Sequence, residues 1–428
     1  MIRVDTDNAR SFLTDDEFES AHRRANQCLQ ELKDGTGEGS EWLGWRRILK
    51  EPNDAELEKI SSHAESIREN ADIFIVCGIG GSYTGAMALI NALNPYFKSN
   101  GPEIIYAGHH LSGKYLKQLL EYLNTKDEEG NSKSVYLNVI SKSGSTLETA
   151  LAFRTLRDWM HEQYEDASER IIATTGKQGG VLNDVIAREG YEKYIIPDDV
   201  GGRFSVLTPV GLLPVAVAGI DVQTLYYGAV SEFEDRESNP EDILEYAAVR
   251  YGLLQKGRVI DVIGSFEQEL DGFTAWIQQL LGESEGKKGS GMFPAAARYT
   301  TDLHSFGQLI QEGQRNMMES LIVATQPFSD LEVPELDQDI DQLGYVAGKS
   351  FHEINRSALE GTVQAHAEGG VPVVKIVMDK LNAQQMGKLI YFYELFTAVY
   401  VYMLDVNPFN QPGVEAYKTA MYRLLGKS

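Results

Sequence analysis

From Ile60 onward, short apolar runs of strand length alternate with longer stretches whose apolar positions recur at helical spacing. The runs 73–77, 104–107, 135–140, 171–175 and 194–196 read as strands, and segments such as 115–123 and 147–160 as amphipathic helices between them. This alternation predicts parallel βαβ units, an α/β fold whose ligands bind at the carboxyl ends of the strands. Ahead of it, residues 12–32 carry apolar positions at helical spacing and run into a glycine-rich 35–39 stretch, so 1–59 reads as a helical arm. A polar interval at 232–242, containing Asn239-Pro240, reads as a boundary or an excursion. The pattern then resumes with strand candidates at 259–263, 321–324 and 373–378. A Pro- and Asn-rich turn and an amphipathic helix at 414–425 end the chain, the helix placed to lie back across the first domain. The expected divisions are therefore 1–59, 60–230, 231–404 and 405–428.

Two of the predicted strands end in turns built for an anion. The first passes into Gly78-Ile-Gly-Gly-Ser82, where glycines let backbone N–H groups converge, Ser82 adds a hydroxyl, and the next helix supplies the positive end of its dipole. The second passes into Ser141-Lys-Ser-Gly-Ser-Thr146 in the same way. Together they suggest one phosphate held between neighbouring strand ends. A dinucleotide fingerprint fits less well. Tyr83 stands where the third glycine should be, and Glu103 precedes its strand instead of closing it.

At 428 residues, 43% apolar and 24% charged, the chain is long enough for two ordinary domains. Its formal charge of -24 repels nucleic acid and anionic membrane surfaces, so an anionic substrate depends on local positive potential. Two cysteines, Cys28 and Cys77, argue for a reducing compartment without a disulfide framework. No secretory signal is visible in residues 1–16, and the apolar stretches 206–220 and 389–404 are too short or interrupted to span a bilayer. The expected location is cytoplasmic.

Several residues could carry chemistry. Arg203, in Gly201-Gly-Arg-Phe-Ser205, is a fixed cation flanked by glycines, equally able to meet a ligand or to pair with Asp198 or Asp199. Glu283 and Glu285 follow the apolar helix 273–281, and either could have its pKa raised toward the working range of a general base; Glu283 lies nearer the helix. His304, just after Asp302, stands where a helix begins and could transfer protons. Adjacent His109 and His110 would point to opposite faces of a strand and so fail to share a metal. His352-Glu-Ile-Asn-Arg356 lacks the second histidine of a zinc motif, and 344–350 is one residue too short for a Walker loop. No metal is expected.

Read in order, these pieces resemble the glucose-6-phosphate isomerase (phosphoglucose isomerase) family. The resemblance rests on the two turns above with Leu147 and Glu148, on Gly201-Gly-Arg-Phe-Ser205, Gly282-Glu-Ser-Glu285, Asp302-Leu-His304 with Gln308-Leu-Ile-Gln-Glu-Gly313, and on Asn407-Pro-Phe-Asn-Gln-Pro-Gly-Val-Glu-Ala-Tyr-Lys418. It implies two sugar-isomerase (SIS) domains, each a parallel sheet sandwiched by helices, and a homodimer with a site shared between subunits. It also implies cofactor-free interconversion of glucose 6-phosphate and fructose 6-phosphate in glycolysis and gluconeogenesis. By motif, Gly81, Ser82, Ser141, Lys142, Ser143 and Thr146 would hold the phosphate, and Gln279 and Gln411 would touch the sugar. Glu283 would shuttle the proton between C2 and C1, Arg203 would stabilise the enediolate, and His304 with Lys418 would open the ring. The family loop Gly-Glu-Pro-Gly-Thr-Asn is Gly-Glu-Ser-Glu-Gly-Lys here, which leaves Glu285 without an assigned role, and activity on mannose 6-phosphate stays open. A sugar-phosphate sensor on the same domains would not need Glu283, His304 and Lys418 together.

Overall fold

The computed structural model describes residues 1–97 and 101–426; residues 98–100, and the last two of the expected segment 405–428, lie outside that description. Ten strands are described: β1 (Arg3–Asp5), β2 (Ile73–Cys77), β3 (Glu103–Ala107), β4 (Val135–Ile140), β5 (Ile171–Gly176), β6 (Glu192–Ile196), β7 (Ile260–Ser265), β8 (Phe293–Arg298), β9 (Met317–Gln326) and β10 (Val373–Lys380). They form two five-stranded sheets, and the chain divides into two units that each hold one sheet, residues 41–227 and residues 1–40 with 228–428.

In the unit 41–227 the strand order is β3-β2-β4-β5-β6, all parallel. Every residue of β2 is buried, as a central strand covered on both faces requires. Helices Thr84–Leu93, Gly113–Leu123, Leu147–Gln163 and Val181–Glu189 connect successive strands. One core runs beneath them, with Ile75, Leu137, Val139 and Ala173 from the sheet and Leu119, Phe153, Leu156 and Trp159 from the helices. Direct pairing of β2 with β4, from Ile73↔Val135 to Cys77↔Val139, sets the two anion-type turns side by side at the sheet's carboxyl edge.

In the other unit the order is β1-β10-β9-β7-β8, parallel except for β1, which runs antiparallel to β10. The succession β8-β7-β9-β10 repeats β3-β2-β4-β5, so the two halves share a topology. The two outer strands have weak sequence signals. β1 is three residues long, and β8 reads Phe-Pro-Ala-Ala-Ala-Arg, whose proline is tolerated because the strand lies at the edge. Helix Ala383–Met403 is buried along its length from Met386 to Met403. Among the described residues, no helix is long and apolar enough to cross a membrane.

The division between the two units falls at 227/228, just before the interval 232–242, which is mostly helical. Helix Val222–Ser238 runs through most of it and helix Glu241–Gln255 begins within it. Its charges are used internally: Arg236, fully buried, pairs with Glu232 at 2.8 Å and with Asp242 at 2.7 Å, and Glu232 also accepts from the Ile2 backbone N–H. Polarity marked a buried ion-pair network here, not solvent. His109 and His110 lie past the end of β3, after Gly108 (φ +73°) turns the chain, so their rings sit together at 4.3 Å instead of on opposite faces. Among the described residues no group of three or more metal-ligating side chains forms.

Candidate active site

The turn after β2 is the short helical turn Gly80–Ser82, with Gly80 at φ +58°. It lies directly against the Gly202–Phe204 turn that carries Arg203: a Cβ on Gly81 would stand 2.0 Å from the Gly202 carbonyl oxygen and 2.8 Å from the Arg203 nitrogen. Only glycine permits two backbones to approach so closely, and the approach fixes Arg203 relative to the first anion-type turn. Arg203 itself is 3% exposed. Asp199 is gripped by Arg47 through bonds of 2.9 Å from Nε and Nη2, while Asp198 offers its backbone carbonyl to Lys142.

The second turn, after β4, keeps its donors available. Ser141 Oγ accepts from the Gly144 N–H at 3.1 Å, and Ser143 Oγ accepts from Ser145 N–H and Oγ, which leaves the hydroxyl hydrogens of Ser141 and Ser143 free to donate. Thr146 occupies the N-cap of helix Leu147–Gln163 without spending its side chain on the cap, and Tyr83 likewise leaves the N-terminus of Thr84–Leu93 uncapped by a side chain. The first N–H groups of both helices therefore face the turns with their partial positive charge uncompensated by a cap.

Lys142 is anchored by the loop that follows β6. Its ammonium donates to the carbonyls of Asp198 at 2.7 Å and Val200 at 3.1 Å and sits 4.6 Å from the centroid of Trp42. Two of three donors are thus committed and one remains for an anion. Burial pulls its pKa below the ordinary lysine value, against the raising pull of Asp198 and Asp199. Trp42 was not legible as part of the site, because nothing local ties it to a lysine 100 positions on. The segment around it is braced there by Arg47–Asp199, by the Gly44 N–H bonding to the Asp199 carbonyl, and by Trp45, tilted against Phe204 at 5.3 Å between ring centroids.

The remaining candidates belong to the other unit. Helix Asp271–Glu285 runs four residues beyond the expected 281, so Glu283 is in its last turn and not in the following loop. Gln279 lies one turn earlier on the same face, and both are partly exposed. Glu285 is not in a solvated loop either: it is fully buried and bound to Arg250 by two bonds of 2.9 and 3.0 Å. With both oxygens taken it is unsuited to receive a substrate proton, which leaves Glu283 as the candidate base.

His304 ends the exposed turn Thr301–His304, braced by Asp302, which accepts from the Arg298 N–H at 2.8 Å. Lys418, on helix Gly413–Leu424, donates to Glu415 at 2.8 Å, and that bond raises its pKa above the ordinary value. Gln411 lies exposed just before the same helix.

A cavity of about 420 Å³ opens at the carboxyl ends of β7, β8 and β9, in the position that the anion turns occupy on the other sheet. It does not suit a phosphate. Glu267, Glu269 and Asp330 line it without any lysine or arginine, and the hydroxyl of Ser265 at the end of β7 is committed to the Ile322 carbonyl and the Glu267 N–H. The half-repeat preserved the topology and not the anion chemistry.

Comparison with known proteins identifies the family and the fold. The family model described as phosphoglucose isomerase matches residues 58–426. The glucose-6-phosphate isomerase of Staphylococcus epidermidis is 42% identical over 433 aligned positions, covering all of this chain and 96% of the relative. Among solved structures, a hypothetical protein from Thermus thermophilus superposes with a TM-score of 0.88 at 28% identity, covering 99% of this chain and all of that one. A glucose-6-phosphate isomerase from Chlamydia trachomatis gives a TM-score of 0.79 at 19% identity, with coverage of 97% and 86%.

Proposed function

The chain belongs to the phosphoglucose isomerase family, and from that premise we infer that it reversibly isomerises glucose 6-phosphate and fructose 6-phosphate, an aldose–ketose step of glycolysis. Its two sheets are the two SIS-type domains of that fold. The observation that carries the substrate assignment is the pair of hydroxyl- and glycine-rich turns on adjacent strands β2 and β4, the first of them locked by backbone contact to the Arg203 turn.

In this reading Gly81, Ser82, Ser141, Ser143, Thr146 and the third donor of Lys142 hold the phosphate. Binding there, remote from the reacting carbons, orients the sugar. A proton beside a carbonyl is too weakly acidic for a carboxylate unless the enediolate is stabilised, so base and cation act as a pair. Glu283 takes the proton from C2 and returns it to C1, Arg203 offsets the developing enediolate charge, and Gln279 and Gln411 contact the sugar hydroxyls. His304 and Lys418 move the ring-opening proton between sugar oxygens; the Glu415 bond supports Lys418 remaining cationic in that role. We assign the expected homodimer to this reading as well. Helix Gly413–Leu424 supports it, since none of its residues is buried and Tyr417 and Leu424 are exposed. A cytoplasmic location is supported by two free, buried cysteines.

The test follows fructose 6-phosphate by NMR in deuterated water. The aldose should appear with deuterium at C2, and Glu283→Gln should bind the sugar phosphate without turning it over. Undiminished turnover by that variant removes Glu283 from the role of base.

A further inference from the structure

We propose that Glu285 and Arg250 are positioning residues for Glu283, their buried ion pair fixing the last helical turn from which the proton-transferring carboxylate projects. The proposal rests on the reading of Glu283 as the base. The last turn of a helix is its softest part, because its carbonyls have no partners within the helix. A base that must meet a carbon acid within a fraction of an ångström cannot ride on a fraying end. Here the end is held.

Glu285 Oε1 accepts from Arg250 Nη2 at 2.9 Å, and Oε2 accepts from Nη1 at 3.0 Å and from the Met292 N–H at 2.9 Å. Arg250 is in turn fixed by Nε donating to Asp261 Oδ2 on β7 at 2.7 Å and by the Tyr400 ring 4.2 Å from its guanidinium carbon. Asp261 Oδ1 accepts from Ser320 Oγ on β9, which accepts from the Tyr246 hydroxyl, both at 2.8 Å. Arg250, Asp261, Glu285, Ser320, Tyr246 and Tyr400 are all 0% exposed. The end of helix Asp271–Glu285 is thereby tied to β7 and β9 of its sheet and to two further helices. Two residues along an α-helix turn the side chain by about 200°, so Glu285 faces inward while Glu283, partly exposed, faces the other way. The chain then returns so closely that a Cβ on Gly291 would stand 2.9 Å from the Glu285 carbonyl oxygen.

Glu285→Gln is the informative variant. The amide oxygen can still accept the Met292 N–H, one Arg250 bond is lost, and Arg250 keeps Asp261 as its counter-ion, so no buried charge is left unpaired. In the intact enzyme Glu283 carries the abstracted proton briefly as a carboxylic acid and returns it to the neighbouring carbon. A loosened Glu283 exchanges that O–H with solvent before delivering it. The expected result is a fall in kcat of about tenfold, KM for fructose 6-phosphate unchanged within about twofold, and more deuterium incorporated per turnover from deuterated water. Arg250→Lys, whose point charge cannot fork, should likewise lower kcat and raise deuterium incorporation, with KM again unchanged.

Unchanged kcat and exchange with a lowered melting temperature would make the network purely structural and overturn the proposal. A parallel rise in KM would do the same, by showing diffuse damage. Glu283→Gln, measured alongside, separates the two claims: turnover in that variant sinks the base assignment itself and the positioning role with it.

Discussion

Replacing Gly81 with alanine tests whether the phosphate turn and the Arg203 turn work as one rigid piece. The added Cβ would lie 2.0 Å from the Gly202 carbonyl oxygen and 2.4 Å from its carbon. Both are backbone atoms, and no rotamer change can relieve the clash. Ordinary contact begins near 3.4 Å, so the two turns must part by about 1.4 Å, the kind of overpacking that costs about 1–3 kcal/mol of stability. A catalytic group misplaced by about 1 Å loses on the order of 10²-fold in rate, which corresponds to about 2.7 kcal/mol of barrier. We therefore expect kcat/KM to fall by about 10²-fold in a coupled assay run in both directions, with a smaller, measurable drop in the urea midpoint. Gly202→Ala is the matched control. Nothing lies within 4 Å of its added Cβ, and its stability should stay within about 0.5 kcal/mol of the parent. The reasoning fails if Gly81→Ala keeps full activity, or if Gly202→Ala is equally unstable.

Glu394 offers a pH test in the fully buried stretch of helix Ala383–Met403. Neither carboxyl oxygen has a hydrogen-bond partner among the described residues, and burial drives its pKa well above the ordinary carboxylate value. With the folded pKa raised, stability is complete only below the unfolded value of about 4.3 and is lost as pH climbs toward the folded one. Glu394→Met should therefore raise the urea midpoint, by about 1–3 kcal/mol of relieved desolvation, and by more at pH 8 than at pH 5; an equal gain at both would refute the desolvation argument. Cys28 and Cys77 are buried, with thiols pushed up to about 12 by that burial. A maleimide at pH 7.5 should label neither in the folded protein and both in urea, and stoichiometric labelling of the folded chain would contradict their placement.

What the sequence disclosed and what it concealed divide along the range of the interaction. Central strands such as β2 could be read because burial on both faces leaves a run of apolar residues, and the anion turns because glycines and hydroxyls sit within six positions of each other. The edge strand β8 could not, since Pro294 and three alanines carry little β signal and its place depends on β7. The ends of helices were misjudged for a related reason. Apolar spacing stops at Leu281, yet the helix continues to Glu285 because Arg250, 35 positions earlier, gives a charged residue somewhere to be buried. The polarity of the interval 232–242, close to the division at 227/228, likewise belongs to an internal ion pair between Glu232 and Arg236. Residue type signals burial only when the partner is also in view.

In the proposed reading, the same contrast of range explains how a chain of charge -24 binds a dianion at these turns. Long-range repulsion between exposed charges fades over a Debye length of about 8 Å at physiological salt, whereas the donors at the β2 and β4 turns act in direct contact. Most of those donors are uncharged: the N–H groups of two helix starts and the hydroxyls of Ser82, Ser141, Ser143 and Thr146. Lys142, the cation among them, already shares its charge with two carbonyls and the Trp42 ring. A site of this kind gives up electrostatic steering and gains geometric selectivity, since dipoles and hydroxyls reward an oxyanion only in the right place. That suits a reaction in which the phosphate takes no chemical part and serves only to set the sugar's position.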